Sequence, residues 1–361
     1  MTVEKRTDEQ TRALALWDAS NSKGASPEQG GIVPAGDGAQ APRGGSSLVA
    51  GLVICALGGV IAGYIPMLGC FAIGYGAAIT LAARNPLQAL ATLACTLMPA
   101  AVVALVAQVA TVPSVLVACV IGIGTAWATS RSRLSLSVSF ALIGCGTLAL
   151  IGVDAIQLQS MDSSIADMIT QLVNEYAKSI GVASVSAVAQ IESLRSVLQL
   201  YWPSAYLVVA LAEYLCSLLG ARASVRREGL CVSMPSLVDY DVPVWLVGVL
   251  VADILGLTAV SLVPQAYTNI VNMITANLLV ALRIAFAVQG FAIIAWLIRT
   301  RHVGAFAGAC TIVAGLVLED QYQFYVMTIV GLVDVWKNFR HLPRGVKTTI
   351  QSNADQDQKS A

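Results

Sequence analysis

The sequence predicts an all-α, polytopic transmembrane helix bundle of eight to ten spans. Three observations lead there. Hydrophobic residues make up 57% of the chain and charged residues only 12%, where a soluble domain carries about a quarter charged. About ten apolar stretches follow the first 46 residues, each near the length that crosses a bilayer. Lys and Arg concentrate between alternate stretches, on one predicted side. With a mean hydropathy of +0.74, the chain cannot cover its own surface with polar groups, so membrane lipid is its first expected partner. Its net charge of zero gives no basic field for nucleic acid.

Residues 1–46 are rich in Gly, Ala, Pro, Ser and Gln and bury too little apolar surface to order themselves. They read as a disordered cytoplasmic tail. One short amphipathic helix near Thr7–Trp17 fits there, because Thr7 and Gln10 match a capping box. No short apolar run with a cleavage site opens the chain, so the first apolar stretch is expected to be an uncleaved span. The transmembrane domain is expected over 47–341, with spans at 48–65, 68–83, 86–109, 113–129, 134–154, 201–220, 243–263, 272–298, 303–318 and 321–336. The second, ninth and tenth are short, as tilted half-spans or re-entrant segments are. Residues 342–361 form a second disordered cytoplasmic tail.

The basic residues test this map. With the N-terminus inside and every segment crossing, eighteen of the 21 Lys and Arg fall inside, Lys178 and Arg195 fall outside, and Arg283 lies within the membrane. Both termini come out cytoplasmic. A single re-entrant segment would flip every later basic loop, so any error in the crossings comes in pairs.

The long outside segment, 155–200, reads as an extracytoplasmic helical hairpin. Ile165, Met168, Ile169, Leu172, Val173, Tyr176 and Ile180 recur at helical spacing, with Asp162 or Ser163 as the cap and Gly181 as the break. Val188, Ile191, Leu194 and Leu198 continue the pattern into the sixth span, where Pro203 fits a first helical turn. The hairpin is either a lid above a pocket or a connector lying on the outer face.

Candidate chemistry is sparse. Seven of the eight cysteines lie in apolar stretches and Cys231 lies in a loop, with no CxxC pair. They read as small hydrophobes, not disulfides or metal ligands. His302 and His341 sit in polar junctions, so no histidine metal centre is expected in the membrane, and no cofactor is. There is no GxxxxGK[ST] loop, no GxSxG and no HExxH, and the chain is read as non-enzymatic. Tyr201, Trp202, Trp245, Trp296 and Trp336 fall near span ends as an interfacial belt.

Charge inside a bilayer is expensive and usually pairs or lines a cavity. Glu213 and Asp253 lie roughly 12–15 Å from the inner surface by helical rise, and Arg283 roughly 24 Å. A polar pocket or ion path of Glu213, Asp253, Asn277, Arg283 and Gln289 is one reading; a buried structural pair of Arg283 with Asp253 or Glu213 is the other. Gly51, Cys55, Gly59 and Gly63 form a small-residue row in the first span, beside Gly58 and Ala62. Such a row lets helices approach closely, within the fold or against a partner.

Asn277 with Gln289-Gly290 in the eighth span, and the closing stretch with Gly331, Asp334 and Phe339-Arg340, resemble the YybS-like family of bacterial polytopic membrane proteins. The motifs cover roughly 243–341. That family looks distantly similar to the substrate-binding integral subunits of energy-coupling-factor vitamin transporters. The resemblance implies a small solute bound from outside, with a coupling subunit and a cytoplasmic ATPase as partners. Read physically, Asp334 pairs with Lys337 one turn later and Arg340 snorkels to lipid headgroups. Three functions stay open: a transport-related solute-binding subunit in the cell membrane, a scaffold or regulator of another membrane protein, and a lipid-linked enzyme.

Overall fold

The computed structural model describes residues 45–107, 112–180, 185–229, 236–321 and 325–342. The expected tails fall outside these residues apart from positions 45, 46 and 342, as do the Thr7–Trp17 helix, Gly181 and Cys231. The described residues form eleven α-helices and no strand: α1 (Gly45–Ala62), α2 (Pro66–Leu81), α3 (Pro86–Ala107), α4 (Val112–Ser130), α5 (Leu136–Gln159), α6 (Ile165–Ser179), α7 (Val185–Glu228), α8 (Trp245–Thr258), α9 (Gln265–Thr300), α10 (Ala305–Gln321) and α11 (Val326–Lys337). A 3-10 turn, Leu237–Asp239, precedes α8, and another, Ala259–Leu262, extends it. Each of the ten expected spans falls on a helix. Six helices (α3, α4, α5, α7, α8 with its 3-10 turn, and α9) are long and apolar enough to cross a membrane; α1, α2 and α10 are shorter apolar helices.

Local chemistry sets the helix starts. Pro66 opens α2, where a missing N–H removes nothing. Ser135 caps α5 by accepting from the Val138 amide at 3.3 Å. The cap of α6 is Ser164, in a capping box with Asp167, not Asp162 or Ser163 as expected. Asp162 has φ 53, whereas a capping residue is extended. Pro203 likewise lies inside α7 rather than in its first turn, because the outer amphipathic run and the sixth span are one 44-residue helix. At 1.5 Å per residue that helix is about 65 Å long. The outer hairpin is therefore α6 against the first part of α7. Ile169 and Val173 are buried, the Arg195 guanidinium donates to Asn174 at 2.8 Å, and Met168, Leu172 and Tyr176 stay exposed.

Glycines decide the packing of the spans. Gly51 meets Thr80 and Gly76, Gly58 meets Ile73, and Gly69 meets Ala62, so α1 and α2 form an antiparallel hairpin. Gly59 sits on the Thr96 carbonyl, Gly63 on Val103, and the Cys55 thiol faces the Ile73 carbonyl. The small-residue row is thus consumed inside the fold. Gly74 and Gly220 bring α2 and α7 together, each leaving no room for a Cβ against the other helix's backbone. Helix α11 crosses α9 the same way, on Gly290 and Gly331. Helices α8 and α9 are antiparallel: Gly256 meets Thr275 at one end, and the Val242 amide meets Gln289 at the other.

Candidate functional site: buried carboxylates and a polar lock

The five residues expected to share a pocket are distributed over three places. Gln289 belongs to a buried lock at one end of α9 and α11. Its Oε1 accepts from the Val242 amide at 2.7 Å, and its Nε2 donates to Asp334 Oδ2 at 3.0 Å. The same Oδ2 accepts from Arg340 Nη2 at 2.8 Å and Nε at 3.2 Å, while Oδ1 accepts from the Phe339 amide at 2.9 Å. Arg340 Nη1 donates to the carbonyls of Val238 and Tyr240, both at 2.7 Å. Asn338 makes this possible: at φ 45 it turns the chain sharply after α11 and sends Arg340 back onto Asp334.

This corrects the reading of the closing motif. Arg340 does not reach for headgroups, and Asp334 pairs with it rather than with Lys337; both side chains are fully buried. The reason is desolvation. A buried guanidinium needs an anion and several acceptors, and the 238–241 turn supplies them beside Asp334. Gly331 serves the lock by letting α11 approach Phe286.

Asn277 ties α9 to α7. Its Oδ1 accepts from the Ser204 amide at 2.9 Å and hydroxyl at 2.6 Å, and its Nδ2 donates to the Leu200 carbonyl at 2.8 Å. Leu200 and Ser204 are the i and i+4 groups that an α-helix joins directly. The amide serves both at the turn where Pro203 removes a ladder bond. Close by, the Tyr206 hydroxyl donates to Asp154 at 2.6 Å and Tyr206 packs edge-on to Trp202.

Arg283 pairs with neither Asp253 nor Glu213. Its guanidinium lies 4.3 Å from the centroid of the Tyr325 ring, a cation–π contact. The α8–α9 register places Asp253 level with Leu278, five residues from Arg283, or about 8 Å of helical rise. Asp253 is 4% exposed, and neither carboxylate oxygen has a hydrogen-bond partner. Glu213 is 2% exposed, lies between α2, α4 and α7, and has no partner for Oε2.

Two features escaped the sequence reading. Glu319, 2% exposed, caps α11 by accepting from the Met327 amide at 2.6 Å; a carboxylate seven residues ahead of a helix start was the available signal. A row of buried hydroxyls runs along α7, signalled by Glu213, Ser217, Gly220 and Ser224 at one-face spacing. Among the described residues no group of three His, Cys, Asp or Glu is placed to hold a metal.

These features define an integral, multi-pass, all-α membrane protein. Residues 53–335 match the family described as "Predicted membrane protein (DUF2232)", and the chain belongs to that family. No curated protein and no solved structure matches it.

Proposed function

We propose that the chain is a transport-related subunit of the cell membrane that binds a small solute and has no ATPase of its own. One observation carries the reading. Glu213 and Asp253 hold carboxylate oxygens at helix contacts of the spans with no protein partner. A structural pair would neutralise them, and Arg283 does neither. A lone carboxylate in an apolar span is expensive, and it suits a site completed by a cationic group or a proton. The chain is read as non-enzymatic, and the missing P-loop assigns any nucleotide hydrolysis to another subunit. The resemblance to the YybS-like family, and through it to energy-coupling-factor transporters, supports a coupling subunit and an ATPase as partners. The Lys/Arg asymmetry supports both termini in the cytoplasm.

A second reading, a scaffold or regulator of another membrane protein, has its own observation. Gly144 and Gly152 on α5 and Gly248 on α8 have nothing within 4 Å of an added Cβ, and bare backbone of this kind suits an incoming helix. Gentle purification from native membranes, followed by mass spectrometry of what travels with the chain, separates the two. A bound small molecule, lost in Asp253→Asn or Glu213→Gln, supports the first. A stoichiometric membrane partner without an ATPase, retained in both variants, contradicts it.

A further inference from the structure

Helices α2, α4 and α7 run in one direction. Helix α5 is antiparallel to α4 through Gly124–Leu142 and Gly146–Ile121, and antiparallel to α7 through Ser139–Tyr214 and Asp154–Tyr206. Helix α3 returns the chain between α2 and α4. The three parallel helices meet at one level, where the Ser217 hydroxyl donates to the Gly122 carbonyl at 2.9 Å and Gly122 and Gly74 rest on Ile73 and Ser217. Seven residues further along α4 and α7 comes a hydroxyl: Thr129 after Gly122 and Ser224 after Ser217; Thr80, at the same step on α2, faces away, accepting from Thr92 of α3 at 2.7 Å and meeting Gly51 of α1. Thr125 lies between Gly122 and Thr129. Four residues the other way on α7 is Glu213; one turn back from Ile73 and Gly122 on α2 and α4 lie Cys70 and Cys119, with the Cys70 thiol on the Ala118 carbonyl at 3.3 Å.

All of the seam hydroxyls are buried: Thr125, Ser217 and Ser224 are 0% exposed and Thr129 is 1% exposed. The column from Glu213 to Ser224 rises about 16 Å at 1.5 Å per residue toward the end of the bundle that carries Arg131, two residues after Thr129, Arg222, two before Ser224, and Arg84, just past α2. Three of its polar atoms, Glu213 Oε2, Ser224 Oγ and Thr129 Oγ1, have no hydrogen-bond partner. Buried polar groups are nearly always satisfied, by protein or by water. Three exceptions at the two ends of one hydroxyl-lined seam point to a hydrated path.

We propose that this seam is a proton path joining Glu213 to the basic end of the bundle. A hydroxyl both donates and accepts, so each Ser or Thr can take a proton from one neighbour while passing its own to the next. The net step moves one proton from hydronium at the basic end to the Glu213 carboxylate, giving a neutral carboxylic acid and water; the reverse step returns it. Protonation removes the charge that makes a carboxylate expensive in the membrane. The inference rests on reading Glu213 as part of a transport-related site and names the coupling ion of that site.

The test uses the full chain in vesicles with the pH of the two sides set independently. A hydrophobic carbodiimide couples only to a protonated carboxyl, and mass spectrometry quantifies the Glu213 adduct. Trypsin access to exposed Arg84 marks the basic side. Labelling that rises as pH falls on that side alone is the expected result. Labelling that follows the opposite side, or neither, overturns the proposal. The double variant Thr129→Val with Ser224→Ala removes two hydroxyls whose oxygens hold no protein partner, so the fold is kept; it should lose the response, and an unchanged response also overturns the path. The assay needs neither solute nor partner. A retained pH response with no co-purifying ligand therefore strikes the functional reading alone, and the converse strikes the path alone.

Discussion

Replacing Arg340 by Met removes the centre of the buried lock. Asp334 keeps its bonds from Gln289 and Phe339 but loses both from Arg340. The Val238 and Tyr240 carbonyls lose a donor each. Removing one partner of a buried ion pair leaves an uncompensated charge and costs about 3–5 kcal/mol. An arginine at an exposed interface gives about 0–1 kcal/mol, so the two positions for Arg340 predict separable numbers. Equilibrium unfolding in mixed micelles measures the difference. Asp334→Asn should destabilise too, and the double variant should fall well short of the sum, since the second change removes the orphaned partner. A loss below about 1 kcal/mol for Arg340→Met, or full additivity, would refute the lock.

Asn277→Leu removes the tie between α9 and the turn around Pro203 and should destabilise by about 1–2 kcal/mol, the upper part of the range for hydrogen bonds between membrane helices; the same unfolding assay reads it. Gly331→Leu places a side chain against the Phe286 carbonyl and should cost at least the about 1–3 kcal/mol of overpacking, with α11 becoming protease-sensitive. Asp167 accepts from the Ser164 hydroxyl and amide, which hold its carboxyl below the usual range. With the folded value depressed, its contribution is present above the unfolded value of about 3.9 and is lost as pH falls through the folded one. Hydrogen exchange at the start of α6 should therefore show protection lost in acid, and Asp167→Asn should lack that pH dependence.

The bundle was legible because apolar length and basic flanks are local signals: six of the expected spans fall on helices long and apolar enough to cross a membrane, and the rest fall on shorter helices. Boundaries were less legible. The outer run from Val188 to Leu198 leads into the next span, but Pro203 reads as a first helical turn, which hid that the two are one helix. The polar residues were readable as important and not as partners. Gln289 and Asp334 are 45 residues apart, and only the crossing at Gly290 and Gly331 brings them together. Arg340 looked interfacial because it follows the last expected span, 321–336, by four residues. The left-handed Asn338 that folds it back leaves no mark in hydropathy. Arg283 looked like the natural partner of Asp253, and helix register places it at another level.

The central claim is that Glu213 and Asp253 are kept for a ligand or a proton and not for the fold. Thermal unfolding of Glu213→Gln and Asp253→Leu in detergent tests it most directly. A buried carboxylate without a partner destabilises the protein that carries it, and removing a site's unpaired charge commonly raises stability at the expense of function. Both variants should unfold at a higher temperature than the parent chain. Unfolding at a lower temperature in both would show that the carboxylates hold the bundle together and would contradict the account.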